Sequence, residues 1–176
     1  MIVNPKDQAY TLSSMKNYAF IDSQNLNLGV KSAGWTLDFG KFRLYLKNKY
    51  SVTKAYLFIG QMAGNESLYD HLQSMGYHLI FKPTTAYKVN GKIMIKVNVD
   101  AELVLYAAAK VIEEYDKALI VTGDGDFQCL VKYLRKIEKL GYVISPNSKW
   151  CSILLKREAR SSHVFIEEMR SKLELK

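Results

Sequence analysis

Cysteine is scarce in this chain, and the two that occur, Cys129 and Cys151, each stand without a second cysteine close by. That excludes a disulfide framework and is ordinary usage for a reducing compartment. Histidine is equally thin: His71, His78 and His163 are scattered, so neither a cysteine-histidine zinc site nor an acid-base histidine pair can be read. Ser23 and Ser152 have no evident histidine partner for nucleophilic work. Three prolines and ten glycines exclude a collagen-like or linker-dominated chain. The longest apolar runs, such as Ala55-Tyr56-Leu57-Phe58-Ile59, fall far short of the ~20 residues that span a bilayer, so no membrane partner is expected. No glycine-rich loop ending Gly-Lys-Ser/Thr occurs, and no Gly-x-Gly-x-x-Gly follows the first strand, which removes the main support for nucleoside-triphosphate and dinucleotide binding. The opening Met1-Ile2-Val3-Asn4-Pro5-Lys6-Asp7 lacks the basic start and apolar stretch of a secretory signal, and a cytoplasmic location is expected.

Acidic residues are also outnumbered, 17 against 25 Lys and Arg, for a formal charge of +8. This exceeds what solubility needs and favours an anionic partner, nucleic acid first. With 176 residues, 48% of them hydrophobic, the chain is long enough for one enclosed core.

Residues 1–16 are polar and weakly patterned, an arm or short cap helix, and the rest reads as one domain over 17–167 with a polar tail at 168–176. Short apolar strands are predicted at 18–21, 55–59, 77–81, 118–121 and 142–144, with an edge strand at 164–166. Between them, apolar residues recur at helical spacing: Phe39, Phe42, Leu46 and Tyr50; Leu68, Leu72 and Met75; Leu103, Ala107 and Val111; Leu130, Leu134 and Ile137. A short helix is expected at 150–160, and Gly76 and Gly141 stand where positive φ would end a helix. Alternation of this kind predicts an α/β fold of three layers, α/β/α, with a mostly parallel central sheet. The interval 82–97 breaks the rhythm: Asn90-Gly91 between two alternating runs predicts an inserted β-hairpin. Asp22-Ser23-Gln24-Asn25 reads as a polar loop after the first strand.

Side chains just past the C-terminal ends of parallel strands converge on one crevice. Asp22 follows the first strand, Asp124 and Asp126 follow the fourth within Thr122-Gly123-Asp124-Gly125-Asp126, and Asp100 opens the helix that feeds that strand. Carboxylates so gathered repel one another unless protonated or neutralised, and hard oxygen donors suit Mg²⁺ or Mn²⁺. Asp22, Asp100, Asp124 and Asp126 are therefore the candidate metal ligands, Asp126 directly, through water or in support, with Asn25 and Thr122 as candidates for positioning water or phosphate. Each has a plainer reading. Asp22 can simply begin a turn, and Asp100, Asp124 and Asp126 can cap or complement helix ends. Lys82, Lys88, Lys92 and Lys96, with Tyr87 among them, form a candidate phosphate-backbone wall with one stacking ring; a solvated hairpin surface reads equally well. Two further basic sets, one at Lys132, Arg135, Lys136 and Lys139 and one at Lys149, Lys156, Arg157 and Arg160, leave the binding face open.

Phe20-Ile21-Asp22-Ser23-Gln24-Asn25, Val97-Asn98-Val99-Asp100 and Ala118-Leu119-Ile120-Val121-Thr122-Gly123-Asp124-Gly125-Asp126-Phe127 together resemble the NYN domain family, the LabA-like group of the PIN-like ribonuclease assemblage. The likeness spans about 17–167 and includes Leu130, Leu134, Gly141, Val143, Ser152 and Leu155; Ala159-Arg160 departs from it where the family places an acidic residue. The resemblance implies a PIN-like, Rossmann-related α/β/α fold and metal-dependent cleavage of RNA. The expected function is a Mg²⁺- or Mn²⁺-dependent ribonuclease, an endonuclease acting through metal-activated water, with RNA as partner. A non-catalytic RNA-binding or assembly module and a nuclease acting on DNA or a small phosphate ester are the alternatives, and a homodimer holding one long RNA stays open.

Overall fold

The computed structural model describes residues 15–89, 92–96 and 98–176, with backbone alone over 85–89 and 92–96. The apolar run after Lys16 forms β1 (Asn17–Asp22), buried along its whole length. On its two edges lie β2 (Val52–Gln61) and β6 (Ala118–Val121), both parallel to it. Outward from β2 comes β3 (Tyr77–Pro83), and outward from β6 come β7 (Leu140–Ser145) and β8 (His163–Phe165). The resulting six-stranded order is β3-β2-β1-β6-β7-β8, every neighbouring pair parallel. β4 (Thr85–Val89) and β5 (Lys92–Lys96) pair antiparallel as a separate two-stranded ribbon, with Val89 opposite Lys92. The two residues between them, Asn90 and Gly91, lie outside the described residues, as do the side chains of Tyr87, Lys88, Lys92 and Lys96 and the proposed arm up to residue 14.

Because side chains alternate along a strand, β1 feeds two cores. Tyr18 and Phe20 enter one, beneath α4 (Asp100–Leu105), α5 (Gln128–Lys136) and α6 (Ile153–Ala159). Ala19 and Ile21 enter the other, beneath α1 (Ser23–Ser32), α2 (Phe39–Tyr50), α3 (Glu66–Ser74) and α7 (Arg170–Leu173). This is the three-layer α/β/α arrangement that the alternation predicts. Several tyrosines are spent on packing: Tyr18, Tyr56, Tyr106 and Tyr115 surround Phe20 and Phe58 with ring centroids 5.5–5.9 Å apart. The Tyr115 hydroxyl donates to the Ala107 carbonyl at 2.6 Å, where α4 passes into a π-helical turn (Tyr106–Lys110).

Two local expectations change. The stretch after Asp22 is not a loop but the first turn of α1, a helix whose buried stripe is only Leu26 and Val30, too sparse to read as periodic. Gly76 does carry a helix end at φ 89, but at the second position Glu138 takes the left-handed conformation (φ 58). Gly141 instead lies within β7, where a Cβ would stand 3.2 Å from the Ala118 carbonyl oxygen.

The polar tail is also structured. Leu173 is only 2% exposed, its carbonyl accepts from the Asp38 N–H at 2.9 Å, and Leu175 N–H donates to the Thr36 carbonyl. Leu173 anchors it, with Met169 partly buried against the same core. Leu173→Ala is expected to cost about 2–5 kcal/mol, read as a lower urea midpoint at unchanged slope; a shift within error would mean the segment contributes nothing to the core.

Candidate active site

Strand order reverses between β1 and β6, one running outward through β2 and the other through β7. In an open parallel sheet the crevice beyond the carboxyl ends at such a switch point is where ligands bind. A cleft of about 600 Å³ lies there, lined by Asp22, Asn25, Asp100, Asp124 and Asp126 among others. Four carboxylates from three separate chain segments thus meet in one cavity.

Asp22 ends β1 and caps α1, its Oδ1 accepting from the Asn25 N–H at 3.0 Å. It is 6% exposed. Burial pushes its carboxyl up from 3.8 to about 6, against the lowering effect of the Asn25 N–H; the charges of Asp100 and Asp124 raise it further. Asp100, in the first turn of α4, is also raised, first by burial and then by Asp124 and Asp126, while hydrogen bonding with Asn98 lowers it. Asp124 caps the short 3₁₀ turn Gly125–Phe127, with Oδ1 accepting from the Asp126 N–H at 3.0 Å. The capping role considered for Asp126 therefore belongs to Asp124, and Asp126 is exposed at the cleft. Capping uses one carboxylate oxygen and leaves the second to face a ligand.

Asn25 acts as a cross-brace: its Oδ1 accepts from the Gly123 N–H at 2.7 Å, tying the first turn of α1 to the loop after β6. Thr122 is fully buried, outside the cleft lining, and its hydroxyl accepts from the Asp124 N–H at 3.2 Å. The structure thus gives Thr122 the shape of the Asp124 loop, in place of contact with water or phosphate. Lys82, next to last in β3, has Nζ 2.5 Å from Glu102 Oε1, and this ion pair, twenty residues apart in sequence, occupies it. Other cations are committed inside the fold too: Arg135 to Glu158, Lys139 to the Ile112 and Tyr115 carbonyls, and Lys156 to the Ser148 carbonyl. The sequence reading missed Asn98, Asn147, Leu28 and Trp150, which also line the cleft. The strand-end rule applied to β7 as well as to β1 and β6 would have found Asn147 and Trp150.

A divalent cation is tested by its donors. Among the described residues, no three Asp, Glu, His or Cys side chains stand at a spacing that would hold one ion as they are. Mg²⁺, however, keeps several waters and is usually held by one or two carboxylates with substrate phosphate completing the shell. A carboxylate that burial first, and the charges of Asp100 and Asp124 after it, hold toward protonation is a site short of positive charge, and its oxygens are the donor type a hard cation takes.

A parallel α/β/α sheet with an acidic cleft at its switch point is the arrangement of an NYN/PIN-like domain. Residues 17–166 match the NYN domain, and the chain belongs to that family. It is 26% identical over 162 residues to the low amplitude and bright protein LabA of Synechococcus elongatus, a match covering 88% of this chain and 86% of that one. Among solved structures, a protein of unknown function from Vibrio parahaemolyticus shares the fold with a TM-score of 0.71 at 20% identity, over 93% of this chain and 98% of the other. Among the described residues no helix is long and apolar enough to cross a membrane.

Proposed function

We propose that the protein is a Mg²⁺- or Mn²⁺-dependent ribonuclease that hydrolyses internal phosphodiester bonds and leaves a 5′-phosphate. The observation that carries this reading is the convergence of Asp22, Asp100, Asp124 and Asp126 on one cleft, with Asp22 and Asp100 raised by burial and by their neighbours' charge. Asp22, Asp100 and Asp124 would hold the cation, with Asp126 in direct or water-mediated support. When bound, the cation supplies Lewis acidity toward the phosphate and lowers the pKa of water. Asn25 and Thr122 hold the Asp22 and Asp124 loops in register through the Gly123 and Asp124 N–H groups, so the carboxylates are oriented before substrate arrives.

The test is cleavage of end-labelled single-stranded and structured RNAs by purified protein in Mn²⁺, Mg²⁺ or EDTA. Metal-dependent cleavage is expected, and none in any condition would remove the catalytic reading. A second reading, a non-catalytic RNA-binding or assembly module, is favoured by the absence of three carboxylates at ligating spacing among the described residues. RNA binding unchanged by EDTA, without cleavage, is its signature. Lys88 and Lys92 on the hairpin ribbon are proposed to contact phosphates under either reading. Replacing both with Ala is expected to reduce the slope of log affinity against log salt by about 1.4, two contacts at about 0.7 each for single strands. An unchanged slope places the groove elsewhere.

A further inference from the structure

Resting on the reading of this cleft as an RNA site, we propose that Trp150 is a base-stacking platform that holds an unpaired nucleobase flanking the scissile phosphate. Trp150 lines the cleft with the carboxylates and is 66% exposed; Leu28 of α1 lines the same cleft and is 57% exposed. Two large apolar side chains are thus left to solvent in a cavity otherwise rich in carboxylates and amides.

The electrostatics give them a task. A carboxylate cluster attracts a cation but repels the phosphates on either side of the reacting one, so part of the binding must come from contacts indifferent to charge. Stacking of a base on an indole is such a contact, and every base has a face to offer. A base already paired in a duplex has its faces taken, so the platform selects single-stranded RNA. Lys149 Nζ lies over the Trp150 ring, 5.7 Å from its centroid, so a base stacks on the opposite face or displaces the ammonium toward its own phosphate.

The loop that carries Trp150 is braced. Trp150 N–H donates to Asn147 Oδ1 at 2.9 Å, and Asn147, only 3% exposed, donates from Nδ2 to the Gly29 carbonyl of α1 at 2.6 Å. Pro146 packs so closely on Gly29 that a Cβ there would lie 2.5 Å from the proline ring. On the other side, Ser148 N–H donates to Glu167 Oε1 at 2.7 Å. Much of the ordering cost of presenting the indole is therefore met before a ligand binds.

The test exploits the chain's two tryptophans, since Trp35 is buried at 5% exposure and Trp150 is in contact with solvent. The full chain is titrated in EDTA, and in Mg²⁺ with Asp124→Asn as the cleavage-deficient background, using a single-stranded oligoadenylate of about eight nucleotides and an abasic ribose-phosphate strand of equal length. Wild type, Trp150→Phe and Trp150→Ala are compared by fluorescence and by Kd. Quenching by oligoadenylate and not by the abasic strand is expected in wild type. Trp150→Ala should weaken oligoadenylate binding about tenfold, Trp150→Phe should recover most of it, and abasic binding should not change. In cleavage assays the loss should fall more on KM than on kcat.

Oligoadenylate affinity of Trp150→Ala within about twofold of wild type overturns the platform, even where Asp124-dependent cleavage persists and the ribonuclease reading stands. Trp150-dependent binding without cleavage keeps the platform and removes the catalysis. No RNA binding in either condition overturns both and returns Trp150, with the exposed Ile153 and Leu154 beside it, to a protein-docking face.

Discussion

Asp124→Asn is expected to fold as wild type does and to lose at least about 100-fold in metal-dependent RNA cleavage. The substitution is informative because Asp124 has a structural task as well as a charge. Its Oδ1 accepts from the Asp126 N–H and so shapes the 3₁₀ turn that leads into α5. Asn caps as well as Asp, and the Asp124 N–H that donates to the Thr122 hydroxyl belongs to the backbone and is untouched. Asp124→Ala would also remove the cap, at about 1 kcal/mol, and would confuse loss of charge with loss of shape. An Asn variant with wild-type circular dichroism and melting temperature but no cleavage assigns the effect to the carboxylate. Full cleavage by the variant, after exclusion of contaminating nuclease, would sink the proposed centre.

Much of this site is legible in the sequence because its logic is topological. Alternating short strands and helices dictate a parallel sheet, and a parallel sheet dictates that the residues after strand ends share a crevice. Asp22 and Asp124 follow from that without knowledge of side-chain packing. Strand order has no local signal: nothing in Tyr18-Ala19-Phe20-Ile21 announces that its neighbours are β2 and β6. The start of α1 has one local signal, Asp22 as a residue type suited to an N-cap, whose Oδ1 accepts from the Asn25 N–H. The Lys82–Glu102 pair and the Asn147 brace to Gly29 join residues twenty and 118 apart, and only the folded chain brings them together. α7 escaped for a different reason. Its burial rests on Leu173 alone, which no periodicity can reveal.

The second large effect concerns stability, and it runs opposite to the first. In EDTA and well above pH 6, Asp22→Asn is expected to be more stable than wild type. The folded protein holds the Asp22 proton more tightly than the unfolded chain does, because burial disfavours the charge. Stability therefore falls as pH rises. The penalty is absent below 3.8, grows between 3.8 and about 6, and is complete above that. The rise from 3.8 to about 6 corresponds to a penalty on the order of 3 kcal/mol. Asn keeps the oxygen that accepts from the Asn25 N–H and carries no charge to desolvate, so it escapes the penalty. Below the lower value the two proteins should unfold at equal denaturant concentration. Adding Mn²⁺ should then stabilise the wild type by mass action on the folded state and leave the variant far less changed. Urea titrations across the pH range, with and without Mn²⁺, read all of this in the absence of any substrate. A variant less stable than wild type above pH 6 in EDTA would mean that the Asp22 charge is already neutralised by the fold, and the argument that the cleft lacks a cation would fail with it.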